Sequence, residues 1–173
     1  MTKADLPSLP PFFDRYINQV DDINVLDALT QTATFDKLIG QETLEALGDL
    51  RYAPGKWSVK DILQHIIDTE RIMSYRALRI GRNDPTPLPG FDENAYAENT
   101  GANHRSIADL YDEYAAVRQS SILLFRSLDA AMLIREGTAS GKPISALALG
   151  YVLVGHARHH VTVIQERYVP LLS

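Results

Sequence analysis

The chain has 173 residues, 45% of them hydrophobic, with no cysteine and a formal net charge of -5. That is enough apolar material for one domain with a core across residues 1–173, and the acidic balance without a basic stripe argues against a nucleic-acid partner. Without cysteine there are no disulfides, thiolate metal ligands or cysteine nucleophile, so any thiol chemistry needs a thiol from outside.

The opening Met1-Thr2-Lys3-Ala4-Asp5-Leu6-Pro7 lacks the apolar core of a signal peptide, and the longest weakly polar run, 144–155, is too short to span a bilayer. A cytoplasmic protein with no membrane partner is expected. After Pro10-Pro11, the residues Phe12, Phe13, Tyr16, Ile17 and Val20, then Val25, Leu26, Leu29, Ala33 and Leu38, recur near a 3.6-residue period. They read as helix and leave open whether there is one helix or two. Tyr52-Ala53-Pro54-Gly55-Lys56 is a stop rich in turn residues, and Ser58 with Asp61 three positions on has the form of a helix start. Ile62, Leu63, Ile66, Ile67, Ile72, Met73 and Leu78 give that second helix its apolar face, and Gly81-Arg82-Asn83-Asp84-Pro85 ends it.

Residues 83–104 carry Pro85, Pro87, Pro89, Gly90 and Gly101 and are longer than an antiparallel helix pair needs, which suits a crossover along a bundle. A third helix starts at Ser106, with Ile107, Leu110, Tyr111, Tyr114, Val117, Ile122, Leu123 and Phe125 in helical register. Past the loop 137–142, Pro143 suits a first helical position, and a fourth helix runs to about Tyr168. No segment shows sustained period-two alternation, so the expected fold is an all-α four-helix bundle without strands.

Chemistry concentrates in the histidines. In Gly155-His156-Ala157-Arg158-His159-His160, His156 and His160 stand four apart, with Cβ atoms roughly 5–6 Å apart on one helix face. Burying two imidazoles among Leu149, Val152, Leu153, Val154, Val161 and Ile164 is costly unless they share a partner, and a metal satisfies both. With His65 from the second helix they make three neutral nitrogen ligands and leave coordination positions for water or substrate. His159 also lies near His156, about 60° to one side against about 40° for His160; neither offset is decisive, and His160 is chosen. Taken singly, His65 reads first as a core histidine bonded to a carbonyl or hydroxyl, and only the three together point to a metal. Asp61 and Asp68 lie within a turn of His65, placed to orient its imidazole or to bind the metal directly, against the plainer readings of solvated carboxylates or, for Asp61, a helix start. Trp57 either stacks in a pocket or staples the helix entry, and Gly155 either admits a close backbone or ligand or is a tolerated mid-helix glycine. No catalytic residue is assigned.

Trp57-Ser58 followed seven residues later by His65, the run His65-Ile66-Ile67-Asp68-Thr69-Glu70-Arg71, Leu88-Pro89-Gly90-Phe91, and Gly155-His156-Ala157-Arg158-His159-His160 leading to Glu166-Arg167-Tyr168 together resemble the DinB-like family across about 52–168. The resemblance implies a bundle in up-down-down-up order with 83–104 as the crossover. It also implies a divalent metal, zinc or nickel, held by one histidine of the second helix and two of the fourth, here His65, His156 and His160. A homodimer is implied as well, together with a wider superfamily that includes S-transferases and isomerases using low-molecular-weight thiols. The functional expectation is a metal-dependent transferase or hydrolase that activates a thiol or water against a small-molecule substrate. The alternative is a non-catalytic metal- or ligand-binding stress-response module, favoured by the lack of a clear general base.

Overall fold

The computed structural model describes residues 1–173. It is mostly helical, and three long helices dominate it: α4 (Val59–Gly81), α6 (Ile107–Arg126) and α8 (Ala146–Arg167). Each opens on a serine whose hydroxyl accepts from the backbone N–H three residues on: Ser58 from Asp61, Ser106 from Asp109 and Ser145 from Ala148. Such caps satisfy amides that a helix start otherwise strands. At Ser58 the Asp61 carboxylate returns a bond to the cap N–H, completing the capping box expected there.

The apolar segment after Pro10-Pro11 forms two short helices, α1 (Asp14–Ile17) and α2 (Val25–Gln31), with Asn24 capping the second through its side chain. Both pack on α8, and α2 also meets α6, so this broken segment sits alongside the long helices. Most of its apolar face (Phe13, Ile17, Val20, Val25, Ala28, Leu29) is buried inside the chain, while Phe12 stays exposed. A 3₁₀ turn at Phe35–Lys37 and α3 (Gln41–Leu47) lead into α4, and the long connection after α4 holds α5 (Glu93–Asn99) and a 3₁₀ turn at Ala102–His104.

The expectation of no strands fails after α7 (Ala130–Leu133). β1 (Glu136–Ala139) and β2 (Lys142–Ser145) form an antiparallel hairpin closed by Ser140-Gly141, both residues at positive φ, 53° and 74°. Two consecutive positive-φ residues match the twist of paired strands, which is why so short a hairpin closes. Pro143 therefore lies in β2 opposite Thr138 and not at a helix start; α8 begins three residues later, behind Ser145. Leu88 of the crossover joins β1 by two backbone bonds, its N–H to the Thr138 carbonyl at 2.8 Å and its carbonyl from the Ser140 N–H at 3.0 Å. That tie draws the crossover and the hairpin together over α4.

Two apolar clusters fill the interior, and both run along the same helices. On α4 one ends at Ile67 and the other begins at Met73; on α8 the changeover falls between Val154 and Ala157; on α6 it falls between Tyr114 and Ile122. A polar layer crosses the helices at these breaks, containing Thr69 and Glu70 on α4, Arg118 and Ser121 on α6 and His156 on α8, all buried.

Candidate metal centre

The capping box at Ser58 fixes where α4 begins and so which residues turn inward; His65 follows two turns later, buried, with the Trp57 indole against its ring at a centroid distance of 4.9 Å. From α8, His156 is buried and His160 partly exposed. The three rings meet tip to tip. His65 Nε2 lies 3.0 Å from His156 Nε2, and His160 Nε2 lies 3.1 Å from the same atom, with all three within 4.8 Å of one another.

The cluster contains no acid. Asp61, one turn before His65, is taken up by Ser58, by the Asn103 amide at 3.1 Å and by Arg51 at 3.3 Å. Asp68 accepts from Gln64 at 2.9 Å and sits 3.9 Å from Arg71. Neither orients an imidazole. Burial pulls His65 down to about 4, and His156 and His160 fall well below the ordinary histidine range through burial first and then through neighbouring imidazoles. All three rings are therefore neutral near pH 7, with lone pairs available. Three neutral imidazole nitrogens in mutual contact without an acid partner form a donor set that fits one borderline divalent cation.

His159 lies outside this meeting point, its ring edge-on to Tyr16 at 5.5 Å. The contact follows from Gly155: a Cβ there would stand 1.9 Å from the Tyr16 carbonyl oxygen, so only glycine lets α1 lie against α8 at this level. Of the two readings of Gly155, close approach of another backbone is the one observed. Tyr16 is thereby set edge-on to His156 at 5.2 Å. His104 is exposed on the crossover, away from the cluster.

A family model described as the DinB superfamily matches residues 28–164. The chain belongs to the DinB superfamily. Among solved structures, this DinB chain is similar to YfiT from Bacillus subtilis, with a TM-score of 0.70 and 16% sequence identity over 92% of this chain and 87% of that one. YfiT is described as a probable metal-dependent hydrolase with an unusual four-helix bundle topology. At that identity the likeness speaks for the fold alone. Comparison with curated proteins gives no significant match.

In this DinB chain the histidines border two cavities. One of about 300 Å³ opens beside His65 and His156, and one of about 220 Å³ opens beside His160, Trp57 and Tyr168. The larger is also lined by Thr69, Met73 and Arg76, which follow His65 by four, eight and eleven residues and so continue its stripe along α4. Sequence reasoning passed over Thr69 and Arg76; the available signal was two polar residues in helical register with His65 on an otherwise apolar face. Ser140 and Lys142 of the hairpin complete that wall, which the sequence presented only as a loop.

Proposed function

We propose that this protein is a metal-dependent enzyme in which His65, His156 and His160 hold one divalent cation, zinc or nickel, and a small-molecule substrate enters through the 300 Å³ cavity. The observation that carries this reading is the convergence of three Nε2 atoms, at 3.0 and 3.1 Å from the central one, with no acid among them. A divalent cation held there would act as a Lewis acid and lower the pKa of a nucleophile, either water for hydrolysis or the sulfur of a low-molecular-weight thiol for S-transfer. The chain's own residues supply the setting. Burial keeps the three imidazoles neutral and able to bind, and Trp57 and Tyr16 pack against His65 and His156 and fix their rings. The same reading takes residues 1–173 as one bundle domain in up-down-down-up order, cytoplasmic and homodimeric, with light scattering as the test of the dimer.

Metal content by inductively coupled plasma mass spectrometry, on wild type and single alanine variants after incubation with zinc or nickel, tests the centre. Near-stoichiometric metal is expected in wild type and His159→Ala, and loss is expected in His65→Ala, His156→Ala and His160→Ala. No metal in wild type would leave a histidine packing cluster and remove the enzyme reading. Turnover of ester, amide and electrophile panels, with and without added thiols, then separates hydrolysis from S-transfer. One observation favours a second reading, a non-catalytic metal- or ligand-binding module: Asp61 and Asp68, the carboxylates nearest in sequence to His65, are engaged elsewhere and leave the cluster without a general base. Stoichiometric metal without turnover in any of the three panels, with or without thiol, is the result that selects it.

A further inference from the structure

Arg76 sits in the wall of the larger cavity, 2% exposed, three helical turns beyond His65. Its Nη2 donates to the Pro89 carbonyl at 2.6 Å and to the Ser140 hydroxyl at 3.1 Å, and its Nη1 reaches only the Met73 thioether sulfur at 3.3 Å. No carboxylate pairs with it, and burial alone acts on the guanidinium, pulling its pKa down. A buried cation without a counter-charge is an expensive arrangement that folding does not explain. This fold also holds a buried arginine in the ordinary way, because Arg118 lies fork to fork against Glu70.

Two further features point the same way. Thr69 lies between His65 and Arg76 on the cavity wall, 3% exposed, and its Oγ1 is the one buried side-chain oxygen or nitrogen of the chain with no hydrogen-bond partner. A buried hydroxyl without a partner, on a residue that lines the cavity, marks a place for a polar atom from outside. The charge lining the cavity opposes that of the whole protein: Arg15, Arg76 and Lys142 face Glu93 alone, in a chain of net charge -5. The remaining wall is largely apolar, with Phe12, Phe91 and Val152.

We propose that the cavity is an acid-recognition pocket, in which Arg76 and Thr69, assisted by Lys142, take the carboxylate or phosphate of a small substrate whose apolar body lies along Phe91 and Met73. Its far end then reaches His65 and His156. Arginine suits this role because its fork meets planar and tetrahedral oxyanions with two parallel bonds. The assignment rests on the proposed metal-centre reading for what happens at the far end, but acid binding itself does not need the metal.

The test is therefore run on the full chain both after chelation and with zinc added. Ligand-observed NMR titrations compare phenylacetate and phenyl phosphate with 2-phenylethanol and 2-phenylethylammonium. In the metal-free chain one or both acids should bind at least about tenfold more tightly than the alcohol and the ammonium, the size expected for hydrogen bonds to charge. Arg76→Met should reduce acid affinity by about tenfold to the level of the alcohol while zinc content stays at the wild-type value. Lys142→Gln, on the partly exposed hairpin, should lower acid affinity by about twofold to fivefold. The tighter of the two acids identifies the group the pocket takes. Equal binding of acid and alcohol, no acid binding, or acid binding undiminished in Arg76→Met overturns the proposal. Should Arg76→Met not fold, unchanged acid affinity in Lys142→Gln overturns it. Acid binding retained in a chain that takes up no zinc upholds the pocket while the metal centre fails, and the converse result separates them the other way.

Discussion

Two arginines are buried on neighbouring helices, and the fold treats them in opposite ways. Arg118 on α6 gives Nε to Glu70 Oε1 at 2.6 Å and Nη2 to Oε2 at 2.7 Å; its other donors go to the Leu153 carbonyl at 3.2 Å and to the carbonyl and hydroxyl of Thr32. Arg76 on α4 has only two neutral oxygens and a sulfur. The first network is closed and joins α2, α4, α6 and α8 through the polar layer. The second is open toward a cavity that the histidines share. A buried charge whose counter-charge lies within the chain belongs to the architecture, and one whose counter-charge is missing waits for a ligand.

The sharpest way to break that contrast is to remove both arginines in the same manner. Arg118→Met strands the Glu70 carboxylate in the interior and is expected to cost about 3–5 kcal/mol of unfolding free energy, read from urea denaturation of the metal-free chain. Arg76→Met strands no charge, and the Pro89 and Ser140 oxygens it releases are on exposed residues that water can serve, so its cost should stay below about 1 kcal/mol. Adding Glu70→Leu to Arg118→Met should recover most of the loss, since the pair vanishes together. Equal costs for the two single variants would mean that Arg76 is as structural as Arg118.

Next in size is ligand linkage at the histidines. Zinc at a hundredfold excess over its dissociation constant should stabilise the wild type by about 2.7 kcal/mol. The same zinc should leave His65→Ala, His156→Ala and His160→Ala unmoved and should still stabilise His159→Ala. Stabilisation that survives His160→Ala but not His159→Ala would transfer the third ligand to the neighbouring ring.

Gly155→Ala probes the frame of the open site. The added Cβ would lie 1.9 Å from the Tyr16 carbonyl oxygen, so α1 must retreat from α8. Overpacking of this kind typically costs about 1–3 kcal/mol, from which the better helix propensity of alanine recovers about 1 kcal/mol. Zinc affinity should fall with it, because Tyr16 buttresses His156. No change in either quantity would show that α1 is not held where it is seen.

How much of this was legible in the sequence follows from how local each feature is. The three long helices were, because apolar residues at 3.6-residue spacing and, for α4 and α6, serine caps depend on near neighbours alone; the start of α8 was misplaced at Pro143, which lies in β2 ahead of the Ser145 cap. The His65, His156 and His160 cluster was legible as a spacing argument, but the choice between His159 and His160 was not. That choice depends on α1, which Gly155 admits and which sets Tyr16 against His159. The hairpin was hidden because its strands have four residues each and lack alternation, leaving Ser140-Gly141 as the one turn signal. α5 was hidden for a different reason: six of its seven residues are exposed and none is buried, so it has no apolar stripe to read. Arg76 and Thr69 gain meaning only beside a cavity built by the crossover and the hairpin.

The smallest expected effect tests the contrast at the level of a single hydroxyl. Ser58 and Thr69 are both buried on α4 or at its start, but Ser58 Oγ is fully engaged, accepting from the Asp61 N–H and contacting Asp61 and Asn103 oxygens, whereas Thr69 Oγ1 has no partner. Ser58→Ala should therefore cost about 1 kcal/mol as a lost cap. Thr69→Val keeps the branched shape and deletes a hydroxyl that nothing in the chain satisfies, so stability should hold or rise by less than about 1 kcal/mol. Affinity for the tighter of the two acids should nonetheless fall, since the donor that the pocket held in reserve is gone. If Thr69→Val were instead as damaging as Ser58→Ala, the hydroxyl would have to be bonded within the folded chain, and the stripe from His65 to Arg76 would be a packed wall, not a binding surface.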